Sequence, residues 1–277
     1  YVFHLAAQPL VKTSYVDPIK TFETNMLGTL NVLESLKFIN KKCTAVIITS
    51  DKVYKNFEIK KGYKESDKLG GYDPYSASKA SAELIIQSYI KSYFLKKKNI
   101  LIGIARAGNV IGGGDWSENR LIPDCVKSWS KNKTVSLRNP QSTRPWQHVL
   151  ESLWGYLLLS LKLEKNKNLH GEAFNFGPDN KSSYDVYSVV KLMGHYWKNV
   201  RIEKIKRKKG SLYESGLLKL NSNKAKKLLK WKTILTFDET IKLVADWYKN
   251  YYSKQYTSSI TFSQIKLFMS FLKQRSF

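Results

Sequence analysis

Two short stretches carry groups that could do chemistry. Tyr75-Ser76-Ala77-Ser78-Lys79 is a Y-x-x-x-K, and Ser50-Asp51-Lys52 stands 25 positions ahead of its tyrosine. On a helix, the i, i+4 spacing puts Tyr75 and Lys79 on one face. An ammonium beside a phenol favours the phenolate and draws its pKa down from about 10. A tyrosine tuned in this way is a general base for a hydroxyl. Y-x-x-x-K alone is common in a lysine-rich chain, where it marks a surface Tyr and Lys at a helix start. Here it gains weight from the apolar strand that precedes it and ends in Ser50 and Asp51.

The elements that position these groups follow from apolar periodicity. Tyr1 to Ala7 reads as a buried strand. Leu27, Leu30, Leu33 and Leu36, at i+3 steps, predict a helix. Ala45-Val46-Ile47-Ile48 is a second strand, Tyr75 to Phe94 a long helix and Ile100 to Ala105 a third strand. Strands apolar on both faces and alternating with helices predict a parallel sheet covered on both sides. In such a sheet, ligands sit beyond the carboxyl ends of the strands, which is where Ser50 and Asp51 fall. The second half predicts helices over 122–130, 148–161, 184–197, 223–229 and 237–251, with short strands at 135–137 and 173–176. Gly112-Gly113-Gly114 marks the expected domain boundary and reads as a flexible entry to a second lobe. Residues 256–277 read as a packed or frayed C-terminal extension, with a short amphipathic helix as the alternative.

Composition narrows the classes. Of 277 residues, 42% are hydrophobic and 25% charged, as in globular chains. Cys43 and Cys125 form no C-x-x-C pair and are too few for a disulfide scaffold, so a reducing compartment is expected. No apolar run approaches the roughly 18 residues of a membrane span, and a signal peptide is not expected. The net charge is +25, but seven arginines leave 40 lysines among the 47 basic residues, scattered with clusters at 96–98, 204–209 and 224–230. Base reading and phosphate clamping favour the arginine fork, so a nucleic-acid partner is not expected. His4, His148, His170 and His195 are dispersed, and no metal site is expected.

The chain resembles the extended short-chain dehydrogenase/reductases of the NAD-dependent epimerase/dehydratase family, and among them the CDP-glucose 4,6-dehydratases. The resemblance rests on HLAAQPLV (4–11), SYVDP (14–18), NMLGTLNVLE (25–34), ITSDKVY (48–54) and YSASKASAE (75–83). It continues through ARAGNVIGGGDW (105–116), RLIPDCV (120–126), RPWQHVLE (144–151) and FNFGP (174–178). Gln8-Pro9-Leu10-Val11, Asp51-Lys52 and GNVIGGGDW point to the CDP-glucose branch. Related dTDP-glucose enzymes usually carry Asp-Glu in place of Asp51-Lys52. The implied fold is α/β, a Rossmann-like parallel sheet with a smaller α+β substrate-binding lobe. Residues 1–111 belong to the NAD-binding domain and 112–255 to the lobe, with 174–190 returning to the first domain. The family's first strand and its G-x-x-G-x-x-G turn are not among these residues. The chain is therefore expected to be an N-terminally truncated form, natural or a fragment, short of roughly 60–80 residues.

The resemblance implies a redox-neutral dehydration in deoxysugar biosynthesis. Tyr75 takes the proton of the sugar 4-hydroxyl while hydride leaves C4 for NAD, and Ser50 hydrogen-bonds the same oxygen. The 4-ketone acidifies C5–H. A base removes that proton as Asp51 protonates the 6-hydroxyl, water leaves, and hydride returns to C6. Lys52 is either a neutral C5 base, with its pKa lowered by desolvation or a neighbour such as Lys79, or a charged stabiliser of the enolate. Leu5, Ala6, Ala7, Asn25, Tyr75 and Lys79 would bind NAD, and Gln8, Asn109, Arg120 and Arg144 the nucleotide sugar. Arg106, Arg120, Arg138 and Arg144 cluster in a chain that otherwise uses lysine, which fits bidentate phosphate recognition. For Arg106 and Arg138 the expectation is a structural salt bridge, and for His4 a packed, hydrogen-bonded role. The tryptophans read mostly as core, the exceptions being Trp116 and Trp146, which flank the substrate loops. A homodimer or dimer of dimers in the cytoplasm is implied. Two other readings are an epimerase or UDP-N-acetylglucosamine dehydratase on the same scaffold, and a non-catalytic remnant. An epimerase would keep Ser50, Tyr75 and Lys79 but has no use for Asp51-Lys52.

Overall fold

A computed structural model describes residues 1–137, 139–178, 184–198, 200–204 and 217–275. In chain order the first elements are β1 (Val2–His4), α1 (Val11–Val16), α2 (Pro18–Phe22), α3 (Gly28–Lys37), β2 (Cys43–Ile48), α4 (Pro74–Tyr89) and β3 (Ile100–Ala107). Next come β4 (Val110–Ile111), α5 (Leu121–Trp129), β5 (Val135–Leu137), β6 (Thr143–Arg144), β7 (Gln147–His148) and α6 (Val149–Lys165). The remainder are β8 (Ala173–Phe176), β9 (Tyr184–Asp185), α7 (Val186–Gly194), β10 (Ile202–Lys204), α8 (Phe237–Tyr252) and α9 (Thr257–Arg275).

The chain divides into two compact units. The first takes the described residues of Tyr1–Gly108, Trp154–Gly177 and Tyr213–Trp231; the second takes those of Asn109–Leu153, Pro178–Leu212 and Lys232–Phe277. Of the 174–190 expected to return to the first unit, 174–177 do so and the described residues from Pro178 on fall in the second; the return begins earlier, at Trp154, and resumes with the described residues of Tyr213–Trp231. These residues supply β8, a strand of the sheet itself, and most of α6 with Trp231, which cover one face of it.

That sheet is parallel throughout, in the order β1-β2-β3-β8. Strand alternation sends successive residues to opposite faces. Ala45, Ile47, Ile102 and Ile104 meet Leu33 and Leu36 of α3 and Ile86 of α4. Val46, Ala105, Phe174 and Phe176 meet Leu159 and Leu163 of α6, with Leu229 and Trp231. Gly103 faces the same α6 leucines, where a Cβ would come within 3.2 Å of both Leu159 and Leu163. A strand buried on both faces is what β2 and β3 predicted. The expected strand over 1–7 contracts to β1, an edge strand, and Leu5 to Ala7 lie past its end.

The second unit is built differently. Its strands form three short pairs, β4 with β7 and β5 with β10 in parallel, and β6 with β9 antiparallel. Its core joins Cys125, Val126 and Trp129 of α5 to Val189, Val190 and Met193 of α7 and to Ile241, Val244 and Tyr248 of α8. The C-terminal extension is a helix, α9, docked by Gln264, whose Nε2 donates to Leu243 O at 2.7 Å, and by buried Phe268. The helix expected over 223–229 is present, its last five residues, Ala225–Leu229, forming a π turn closed by Lys230 at φ +61°.

Candidate active site

The start of α4 is specified locally. Asp73 caps it, with Oδ1 accepting from Ser76 N at 2.9 Å and Oδ2 from the Ser76 hydroxyl at 2.7 Å, and Pro74 takes the first helical position. This places Tyr75 in the first turn and Lys79 one turn on, 7% and 5% exposed. The Tyr75 N–H donates to Ser14 Oγ of α1 at 3.0 Å. Ser78 Oγ donates to the Tyr75 carbonyl at 2.7 Å and accepts from Asn25 Nδ2 at 2.9 Å. Asn25 lies in a π turn, Glu23–Leu27, between α2 and α3.

Ser50 follows the carboxyl end of β2 and caps the 3-10 turn Asp51–Val53. Its Oγ accepts from Lys52 N at 3.2 Å and donates to Asp51 Oδ1 at 3.0 Å. Asp51 is buried and packs on Gly108, just past β3. A Cβ at 108 would stand 2.0 Å from Asp51 Cγ, so glycine is what leaves room for the carboxyl group. That turn also packs against α4. Ser50, Asp51, Lys52, Tyr75 and Lys79 therefore all fall in the first unit, at the carboxyl end of β2 and the start of the helix that follows.

Burial lowers the Lys79 pKa to about 8, opposed by the Glu83 carboxylate. The Lys79 ammonium donates to the Ile48 carbonyl at 3.4 Å, a long bond, and has three protons to give. A hydroxyl-bearing ligand suits the rest of that donor set. His4 is pushed down by burial and then by the Lys79 charge, and its Nε2 lies 3.2 Å from Thr29 Oγ1, the packed role expected for it.

The remaining candidates are placed less simply. Leu5 is half-exposed and Ala6 exposed beyond β1, open to a ligand. Asn25 is buried and spends its amide inside the unit, accepting from Gln8 N at 2.8 Å and donating to Gln8 O at 3.1 Å. The Gln8 side chain is itself committed, donating to Thr21 Oγ1 at 2.8 Å and accepting from Leu10 N at 2.5 Å. Both residues brace the segment after β1. Asn109, Arg120 and Arg144 belong to the second unit. Asn109 has φ +51° and its carbonyl accepts from Gln147 N at 3.3 Å. Arg120 pairs with Asp115 at 3.2 Å, and Arg144 Nη1 donates to Thr143 O at 2.8 Å.

Several sequence expectations change. Gly112 to Gly114 is not a flexible entry: a Cβ on Gly113 would lie 2.0 Å from the Trp247 ring, so the run is packed. Trp116 sits among Trp247, Tyr248, Tyr251 and Tyr252, and Trp146 is buried with its Nε1 donating to Tyr184 O at 3.1 Å. Both are packing residues of the second unit. Arg106 does form the expected structural salt bridge, with Glu83. Arg138 and residues 205–209 of the lysine cluster lie outside the described residues. Sequence reasoning missed Asp73, Gly108 and Glu83. An Asp-Pro pair just before Tyr75, and the continuation of the i, i+4 series to Glu83, were the signals for two of them.

Comparison with known proteins adds relatives. A family model described as GDP-mannose 4,6 dehydratase matches residues 1–244. CDP-glucose 4,6-dehydratase of Salmonella typhimurium is 41% identical over 252 residues, covering 90% of this chain and 70% of that enzyme. dTDP-D-glucose 4,6-dehydratase of Dictyostelium discoideum is 31% identical over 189 residues, covering 64% of this chain and 41% of its own length. Among solved structures, a dTDP-glucose 4,6-dehydratase from Streptomyces venezuelae with NAD and TYD bound superposes with a TM-score of 0.76 at 22% identity. It covers 91% of this chain and 74% of that one. At that identity the likeness establishes the fold.

Proposed function

The chain belongs to the GDP-mannose 4,6 dehydratase family, and on that premise we propose that it converts CDP-glucose to CDP-4-keto-6-deoxyglucose, with NAD as cofactor. The observation that carries the proposal is Asp51, a buried carboxyl group held against Ser50 and seated on Gly108 at the strand end. A Tyr–Lys pair suffices to oxidise and reduce at C4; the added acid is what eliminating water from C6 requires. Likeness to the Salmonella enzyme supports CDP as the nucleotide.

The residues present fit the nicotinamide end of the cofactor. Lys79 has ammonium protons beyond its one long bond, and Leu5 and Ala6 are exposed beyond β1. NAD, when bound, would supply the hydride chemistry, oxidation at C4 and reduction at C6. Tyr75 takes the 4-hydroxyl proton, and Ser50 Oγ bonds the same oxygen. With C4 a ketone, C5–H becomes acidic, because its electron pair can delocalise onto O4. Loss of that proton breaks the C6–O bond as Asp51 donates its proton to the leaving hydroxyl, and a proton later returns to C5. Lys52 serves the C5 side, as a neutral base or as a charge beside the enolate. Asn109, Arg120 and Arg144 are the proposed nucleotide-sugar contacts; Arg120 would exchange its Asp115 partner for phosphate.

Among the described residues no helix is long and apolar enough to cross a membrane. We place the enzyme in the cytoplasm, as a homodimer or dimer of dimers. Incubation with CDP-glucose and NAD should yield a sugar with a C6 methyl and a C4 ketone by NMR. Turnover of dTDP-glucose with none of CDP-glucose overturns the nucleotide, and a C4 epimer with no methyl overturns the dehydration.

A further inference from the structure

Glu83 stands one helical turn past Lys79 and two past Tyr75, so the three share a face of α4. Its carboxylate is wholly buried and takes three donors. Arg106 Nε reaches Oε1 at 2.7 Å, Arg106 Nη2 reaches Oε2, and the Thr49 hydroxyl reaches Oε1 at 2.6 Å. Thr49 immediately precedes Ser50. Arg106 is on β3, two residues before the glycine on which Asp51 rests, and its Nη1 donates onward to the Tyr54 hydroxyl at 2.6 Å. One carboxylate thus ties the helix of Tyr75 and Lys79 to the strand ends of Ser50 and Asp51. A buried ion pair is a poor source of stability compared with apolar side chains of the same volume, so its presence beside the candidate site calls for another reason.

We infer that Glu83 is a positioning residue, whose charge keeps the buried Lys79 ammonium protonated and whose bonds to Arg106 and Thr49 hold α4 against the ends of β2 and β3. The inference rests on the dehydratase reading for what Lys79 does, but not for how Glu83 acts on it. Around Lys79, the charged and titratable groups are Glu83 and Tyr75 on its own helix, His4 on β1, and Asp51 and Lys52 on the turn packed against α4. Glu34 of the neighbouring α3 is engaged with Tyr89 and Lys37. Of these groups, Glu83 is the one that raises the Lys79 pKa.

Glu83→Gln removes the charge but strands the Arg106 guanidinium, a cost that can unfold the chain. The double variant Glu83→Gln/Arg106→Met removes both charges together. Side-chain carbon–nitrogen NMR, with Lys79 assigned by Lys79→Arg, should show it titrating near 8 in the native chain. In the double variant the titration should fall below the native value, the lost Glu83 charge outweighing the loss of the more distant Arg106 cation. Glu83→Asp, which keeps the charge, should hold it near the native value. The alkaline limb of kcat against pH should move down by the same interval in the double variant. An unchanged Lys79 titration there overturns the inference. If the native chain turns over no nucleotide sugar, the dehydratase reading falls while the titration still decides the role of Glu83.

Discussion

Tyr75 and Asp51 are assigned different protons, and single substitutions separate them. Tyr75→Phe removes the acceptor for the 4-hydroxyl proton, so no 4-ketone should form; loss of a general base costs about 10²–10⁴-fold. Asp51→Asn keeps C4 oxidation but cannot protonate O6. Borodeuteride quenching should then trap a hexose labelled at C4 that retains its 6-hydroxyl. A labelled hexose from Tyr75→Phe would show that this tyrosine merely begins a helix. Gly108→Ala tests the seat of Asp51. The new methyl would overlap its carboxyl group, and the short side chain must swing away. Activity should drop by about two orders of magnitude, as for a misplaced catalytic group, while the urea midpoint moves little. The five candidate residues were legible because their spacing carries chemistry within a few positions. The i, i+4 series put Glu83 on the same helix face but did not show its bonds, because its partners Arg106 and Thr49 are 23 and 34 residues away and only the sheet brings them together. The bonds of Gln8 and Asn25 were hidden for the same reason: the Asn25 amide bonds the Gln8 backbone 17 residues away, and the Gln8 side chain bonds Thr21 and Leu10.

Long elements announced themselves; short ones did not. β2, β3, α3 and α4 each carry enough residues for a period to register, and they fall close to where the apolar pattern put them. β4, β6, β7 and β9 have two residues each, too few to alternate, and exist only through their partners. The start of α6 shows how such a partner acts. Glu151 Oε1 accepts from Ile234 N at 2.8 Å and Leu235 N at 2.7 Å, tying the helix to the segment before α8. Burial pushes its carboxyl group up to about 7, against the pull of those two N–H groups. A folded pKa above the unfolded value means the native chain binds the extra proton. The stabilisation is complete below about 4.5 and is lost as pH rises through about 7. Glu151→Gln, neutral at every pH and able to accept the same two bonds, should remove this slope. Urea midpoints at the two ends of that window should fall with pH in the native chain more steeply than in the variant. Parallel slopes would show that the group is not perturbed as described.

Summed over the chain, the formal charge of +25 makes two opposite demands on salt. Like charges in a compact state repel, so added salt should stabilise the fold. A nucleotide diphosphate sugar is an anion, and the same field draws it in, so salt should weaken its capture. Screening reaches across about 10 Å at 0.1 M, which covers most lysine–lysine separations on a surface but leaves contact pairs largely intact. The arginines proposed to meet the phosphates, Arg120 and Arg144, act at contact distance, whereas the scattered lysines act at range. Raising sodium chloride from about 0.02 to 0.3 M, a range over which the Debye length falls several-fold, should therefore raise Tm and raise KM for CDP-glucose with kcat little changed. A KM that holds while Tm climbs would mean that the positive field does not reach the substrate, and that its binding rests on the arginine contacts alone.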